Sequence, residues 1–477
     1  MDNKIIIGIN ERPSPGKWFA LSFQHVFAMF GSTVLVPMLT GLPIGTALLS
    51  SGLGTLIYIV LSKAKCPMYL GSSFAYITPI CTALAMTSNP EMPNYAAVCT
   101  GLMAVGLIYC VVALLIKLIG KGWLDKVLPP VVVGPMIIVI GLGLASVACT
   151  NAGLMPGEGE PYNWQVITVA VIAVMVTALV AVFAKGFFKI VPIMSGILAG
   201  YLSAVVVDLI FNQGNPTSQL VLANLAIVAN DFKTLNIIDV PTIMLPFGNS
   251  LGTKGPFFFY SIDFVALATI APLAFVTIAE HIGDHKVLGT ICGKDFLKDP
   301  GLDKTLAGDG IATFIAGMIG GPANTSYGEN TGVVGMTRVA SVWVTGGAAV
   351  IAILLAFIKP FQDLISSIPG CVMGGICIIL FGLIAANGLR VLVDARTDFN
   401  NTRNTIIASV MLVLGLGGAS IGIGKVTISG MALAALTGIL LNLILPEKRG
   451  AEIVMAEGEE NTNETNKAKK KSKSKKK

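Results

Sequence analysis

The chain has 477 residues, 54% of them hydrophobic and only 12% charged, with a mean hydropathy of +0.79. Soluble domains carry about 25% charged residues, so this composition excludes a soluble globular protein and points to a chain that crosses a membrane many times. The net charge of +6 invites a nucleic-acid partner, but the eight lysines from Lys467 to Lys477 account for more than all of it, so no nucleic acid is expected.

In chain order, residues 1–17 form a polar N-terminus without an apolar core long enough for a cleaved leader, so the first span is expected to stay as an anchor. Apolar stretches long enough for ~30 Å of hydrocarbon then recur at 18–39, 44–62, 69–87, 94–116, 127–150, 164–184, 190–211, 263–285, 302–319, 322–338, 340–358, 361–386, 404–422 and 427–446. The fold class is therefore an all-α polytopic membrane protein with fourteen transmembrane segments, lying in a lipid bilayer. Placing both termini in the cytoplasm puts all but Lys233, Lys254, Lys359 and Lys425 of the 32 Lys and Arg inside, as the positive-inside rule requires. Residues 212–262, rich in Asn, Asp and Pro, form an extracytoplasmic loop, and residues 447–477 a disordered Lys-rich cytoplasmic tail. The eight cysteines form no CxxC and read as small buried apolar residues.

A repeat at an offset of 240 residues aligns LPPVVVGPMIIVIGLGLA from Leu128 with IPGCVMGGICIILFGLIA from Ile368, pairing span five with span twelve. Seven spans is an odd displacement, so the halves 18–211 and 263–446 read as inverted seven-span repeats. A weaker echo relates GSSFAYITPI in span three to ANTSYGENTG in span ten. Glu329 to Arg338 covers about 15 Å as helix, half the hydrocarbon thickness. The remainder, Ala323 to Gly328, must run extended, so spans three and ten carry short extended stretches and are expected to cross at a binding site.

Ionisable residues inside spans are costly and point to function. Neither Glu280 nor Glu329 has a Lys or Arg in its own span within two helical turns, so they must be protonated, hydrated or occupied by ligand. Asp284 lies one helical turn beyond Glu280. His281 and His285 read as cytoplasmic helix-end residues, and Asp208 as a solvated span end. Asp309 either caps a helix start or partners the acids of span eight; His25 either joins helices or belongs to a polar network at the site. Glu280 precedes His281 rather than following it, so no zinc-protease helix is formed, and no cofactor or metal is expected beyond protons as coupling ion. With no nucleophile–base pair either, an enzyme is not expected. Carboxyls that accept from N–H when ionised and donate to C=O when protonated suit a flat, neutral ring with alternating N–H and C=O groups. Phe74 and Tyr327 are candidates to pack on that ring, with Ser32 and Gly328 allowing close approach. A carboxyl whose protonation depends on the face it sees is also the simplest proton-coupling device.

The signature ENTGVVGMTR, Glu329 to Arg338, resembles the nucleobase–ascorbate transporter motif, and SFQHVFAMFGSTVLVP, YLGSSFAYITPI, AEHIGDH and GGPANTSYGEN are similar to the family's bacterial uracil permeases over nearly the whole chain. The resemblance implies a proton-coupled uracil symporter of the bacterial plasma membrane, a homodimer, a core domain (spans 1–4 and 8–11), a gate domain (spans 5–7 and 12–14) and an elevator-like motion. It carries the substrate carboxyls onto Glu280 and Glu329, backbone contacts onto Phe74 and Gly328, and the span-one histidine onto His25. Proton coupling falls to Glu280, Asp284, Asp309, Glu329 and His25. Uracil permeases often place His where Asp284 stands, and Asp284 with Asp309 resembles the xanthine branch, so the alternative is a xanthine or dual uracil/xanthine symporter.

Overall fold

The computed structural model describes residues 5–86, 93–212, 219–248, 257–423, 426–428 and 430–446. The Lys-rich tail, Lys254 and Lys425 lie outside the described residues.

The elements in chain order are α1 (Pro15–Thr40), α2 (Ile44–Leu61), β1 (Leu70–Ser72), a 3-10 turn at Phe74–Tyr76, α3 (Ile77–Leu84), α4 (Tyr95–Ile119), α5 (Gly122–Val127), α6 (Pro130–Leu142), α7 (Ala145–Asn151), α8 (Trp164–Phe183), α9 (Pro192–Phe211) and α10 (Leu222–Lys233). Then follow β2 (Ile243–Leu245), β3 (Phe257–Phe259), α11 (Phe264–Ile270), α12 (Ala274–Cys292), α13 (Leu302–Ile319), β4 (Asn324–Ser326), α14 (Gly328–Thr337), α15 (Val342–Leu355), α16 (Lys359–Ser366), α17 (Gly370–Asp394), α18 (Thr402–Leu416), β5 (Ile421–Ile423), β6 (Val426–Ile428) and α19 (Gly430–Ile444). Among the described residues eight helical stretches, including the joined pairs α6–α7 and α11–α12, are long and apolar enough to cross a membrane. The protein is thus a mostly helical, multi-pass membrane protein. The segment expected as a loop at 212–262 is more structured than its composition suggests, holding α10 and the parallel pair β2–β3.

Local chemistry sets the helix ends. Pro15 opens α1, where its missing N–H costs nothing, and Gly41 closes it at φ 76°, a left-handed backbone that a side chain would strain. Pro129 and Pro369 stand as extended N-caps of α6 and α17, so the two aligned stretches begin alike. α6 and α17 also pack on each other: a Cβ at Gly388 would lie 2.7 Å from the Gly134 carbonyl oxygen, so the glycines allow the backbones to touch.

The helices pack in two groups. α13 lies between α4 and α2, α15 between α2 and α1, and α11 against α4. α17 lies against α6, α7 and α8, α8 against α9, and α18 against α6 and α19. Between the groups stand apolar contacts such as Phe74 edge-on to Phe381 at 6.2 Å and Phe27 edge-on to Phe187 at 5.9 Å.

The centre of the first group is a two-stranded antiparallel crossing, β1 with β4, in which Gly71 faces Thr325. At this depth every peptide group needs a partner. Ser73 N–H donates to Ala323 O and Tyr327 N–H to Tyr69 O, both at 2.9 Å, extending the ladder. Side chains of neighbouring helices satisfy the outer edges: Thr55 Oγ1 accepts from Leu70 N–H at 2.9 Å, Ser51 Oγ donates to Leu70 O at 2.7 Å, and Thr313 Oγ1 donates to Asn324 O at 2.6 Å. The stretch expected to run extended is therefore strand over Asn324–Ser326, and the helix already begins at Gly328.

Candidate functional site

The crossing sends two short helices away from the middle of the protein, α3 from span three and α14 from span ten, and α14 packs along α12. Around the start of α14 the otherwise buried interior opens. Gly328 is exposed, while Glu280, Asp284 and Glu329 are half-buried, amid neighbours that are mostly buried. The Glu280, Asp284 and Glu329 carboxyls lie within electrostatic reach of one another. A Cβ at Gly328 would stand 3.4 Å from Asp284 Oδ1, so Asp284 faces the first peptide of α14. Ser32, expected only as a small approach surface, donates its hydroxyl to Glu329 Oε1 at 2.5 Å. Among the described residues no ion pair with Lys, Arg or His forms at Glu280, Asp284 or Glu329. Three carboxyls and the free N–H end of a helix thus share one opening, acceptors and donors together.

Other candidates are placed differently. Phe74 is buried at the join between the helix groups, against Phe381. The Tyr327 ring is buried against Gly71; its hydroxyl donates to Ser72 O at 2.9 Å and accepts from Thr33 Oγ1 at 3.2 Å, so this side chain is engaged in holding the strand crossing. His25 is buried, and its Nδ1 and carbonyl oxygen both accept from Asn330 Nδ2, at 3.1 and 3.0 Å. It joins α1 to α14, and the acceptor role of Nδ1 leaves its proton on Nε2.

Three expectations are corrected. His281 and His285 are not solvated helix-end residues but buried. The His281 Nδ1–H donates to Asp309 Oδ2 at 2.8 Å, and its Nε2 contacts Thr305 Oγ1 at 3.1 Å. His285 donates Nδ1–H to the His281 carbonyl at 2.8 Å, so its Nε2 accepts the Tyr58 hydroxyl proton at 2.5 Å. Asp309 is no helix-start cap, since it sits mid-way along α13; it takes His281 as partner, together with Ser326 N–H at 3.2 Å and Ser326 Oγ–H at 3.1 Å. Asp208 is buried rather than solvated, accepting from the N–H groups of Leu220, Val221 and Leu222 at 2.8, 2.7 and 3.0 Å, and so caps the start of α10. Tyr58, Thr305 and Asn330 were not singled out by sequence reasoning. Only Asn330 carried a signal, as a polar residue inside the span-ten signature.

A family model described as the Permease family matches residues 16–422. The chain is 46% identical over 450 residues to the uracil permease of Bacillus subtilis (strain 168), covering 94% of this chain and 96% of that one. It is 39% identical to the uracil permease of Escherichia coli (strain K12), over 92% of this chain and 93% of that one. Among solved structures it is similar to SLC26A9, with a TM-score of 0.61 at 13% identity over 90% of this chain and 64% of that longer one. The transmembrane domain of the cyanobacterial bicarbonate transporter BicA matches with a TM-score of 0.50 at 13% identity, over 90% of this chain and 97% of that one. These structural likenesses bear on the fold alone. The family and the curated relatives are permeases, not enzymes, and the chain belongs to this Permease family, the nucleobase–ascorbate transporters.

Proposed function

We propose that the protein imports a nucleobase, uracil in the first place, together with a proton. The observation that carries this reading is the opening at Gly328, where the Glu280, Asp284 and Glu329 carboxyls meet the N–H end of α14 with no Lys, Arg or His ion pair among the described residues. A flat neutral ring with N–H and C=O edges finds there both acceptors and donors, and the uracil permeases to which the chain is similar give that ring its first candidate. Glu280 and Glu329 bind the base with Gly328 and Phe74, Ser32 orients Glu329, and Asp284 takes up the coupling proton. Asp284 at the Gly328 peptide favours, as a second reading, xanthine or both bases.

The same proposal includes fourteen crossings. The eight long stretches are joined by the strand–helix spans β1–α3 and β4–α14, by α13, and by the shorter α15, α18 and α19. What supports inverted repeats is the Pro-capped pair α6 and α17 and the antiparallel β1–β4 pair, each joining corresponding spans. The two helix groups serve as core and gate, the core carrying the site past the gate in an elevator-like stroke, with both termini cytoplasmic and two copies forming a homodimer.

Uptake of labelled uracil into proteoliposomes tests this. Saturable uptake, driven by an inside-alkaline gradient and abolished by a protonophore, is expected, with xanthine measured in parallel. Absence of saturable flux of either base would sink the proposal.

A further inference from the structure

Three connections join the helix groups: α5 between α4 and α6, the stretch with α10 between α9 and α11, and α16 between α15 and α17. The latter two bind each other. Ile238 and Ile358 face each other in an antiparallel bridge, flanked by Asp239 N–H donating to Phe357 O at 3.0 Å and Lys359 N–H donating to Ile237 O at 2.9 Å. Lys359 Nζ donates to Asp231 Oδ2 on α10 at 3.2 Å and also pairs with Asp363, one turn along its own helix. The Asp231 side chain is 7% exposed and that of Lys359 24%, so the cluster is shielded more than an ordinary surface pair. α5 lies at the far end: the start of α4 meets the start of α11 through Asn94 Nδ2 and Asp263 Oδ2 at 3.3 Å, and α5 follows the other end of α4.

We propose that α10 and α16 form one strap, fastened by Lys359, so that two of the three connections follow the relative motion of the helix groups as a unit. This rests on the elevator reading above. Two separate tethers would each sample their own conformations at every stroke, whereas a fastened pair reorders once. Among the described residues the fastening groups Asp231, Lys359 and Asp363 form no ion pair with Glu280, Asp284 or Glu329, so the strap acts on the rate of the stroke and not on affinity.

The test uses the full chain in proteoliposomes, with the exposed Cys81 changed to Ser. Lys359→Met should lower maximal uracil uptake at least fivefold while equilibrium uracil binding stays within twofold. Residues facing each other between flanking hydrogen bonds are the closely spaced pairs of an antiparallel ladder, so Ile238→Cys with Ile358→Cys should form a disulfide on oxidation. That disulfide should leave uptake intact in the otherwise unchanged protein and restore it in Lys359→Met, which also shows that Lys359→Met is folded. Unimpaired uptake by Lys359→Met, or arrest of uptake by the disulfide alone, would overturn the strap. If the unchanged protein neither binds nor moves a nucleobase, the transport reading falls by itself, and hydrogen exchange then judges the strap. Faster exchange in Lys359→Met over both 231–239 and 357–363 upholds it; faster exchange over 357–363 alone refutes it.

Discussion

At the scale of single residues, the proposed function gives the three carboxyls at Gly328 different roles. Glu280→Gln keeps shape but fixes one hydrogen-bond polarity, and loss of a charged-group hydrogen bond of about 1.5–3 kcal/mol corresponds to roughly a ten- to hundredfold fall in affinity. Calorimetric titration with uracil reads this, and unchanged affinity would remove Glu280 from the site. Asp284 stands at the same opening on the next turn of α12, so Asp284→Asn should shift the pH profile of uptake and spare most of the equilibrium binding. An unshifted profile would show that Asp284 does not handle the coupling proton. His25 belongs to another class of residue, because both of its acceptors are met by Asn330. Asn330→Ala should cost about 0.5–2 kcal/mol, in line with interhelical hydrogen bonds in membranes, read as a lower thermal midpoint in detergent.

At the scale of elements, the crossing of β1 and β4 replaces the helical hydrogen bonds that two broken spans give up, and it tolerates nothing larger than glycine at one point. A Cβ at Gly71 would lie 2.5 Å from the Tyr327 ring and 2.7 Å from Thr33 Oγ1. Gly71→Leu should therefore displace Tyr327 and with it the start of α14, costing about 1–3 kcal/mol as overpacking and lowering both thermal midpoint and uracil affinity. Normal values for both would mean that the crossing adapts. The end of α14 is held as well: the Arg338 carbonyl accepts from the N–H groups of Ile6 and Ile7, and Ile7 bridges Val339 in parallel. A broken helix of ten residues is thus fastened at both ends, which keeps Glu329 in place although α14 is too short to be stable alone.

At the scale of the whole molecule, motion of one helix group past the other requires a contact between them that can slide. Gly31 of α1 meets Ile193 of α9, where a Cβ on Gly31 would stand 3.5 Å from the Ile193 Cβ, within the span of a disulfide. Gly31→Cys with Ile193→Cys should therefore crosslink on oxidation and stop uptake, with recovery on reduction. Continued uptake by the crosslinked protein would refute movement along this join.

Membrane class and the two interrupted spans were legible in the sequence because they rest on local quantities. Twenty apolar residues match the hydrocarbon thickness, and a polar ten-residue helix does not. The carboxyls at 280 and 329 were legible for the same reason, since a charge inside an apolar stretch is costly wherever the chain later folds. The tertiary structure alone decided the partners. Asp309 and His281 lie 28 residues apart, Tyr58 and His285 227 apart, and Asp208 takes its amides from beyond its own span. Nothing in the local pattern at 281 or 208 separates a buried, bonded side chain from one at a wet helix end, because hydropathy records the cost of burial but not the donor that offsets it. The register of β1 on β4 and the joining of α10 to α16 are likewise products of packing between distant segments, where the hydrogen bonds a segment lacks are supplied by whichever neighbour the fold brings alongside.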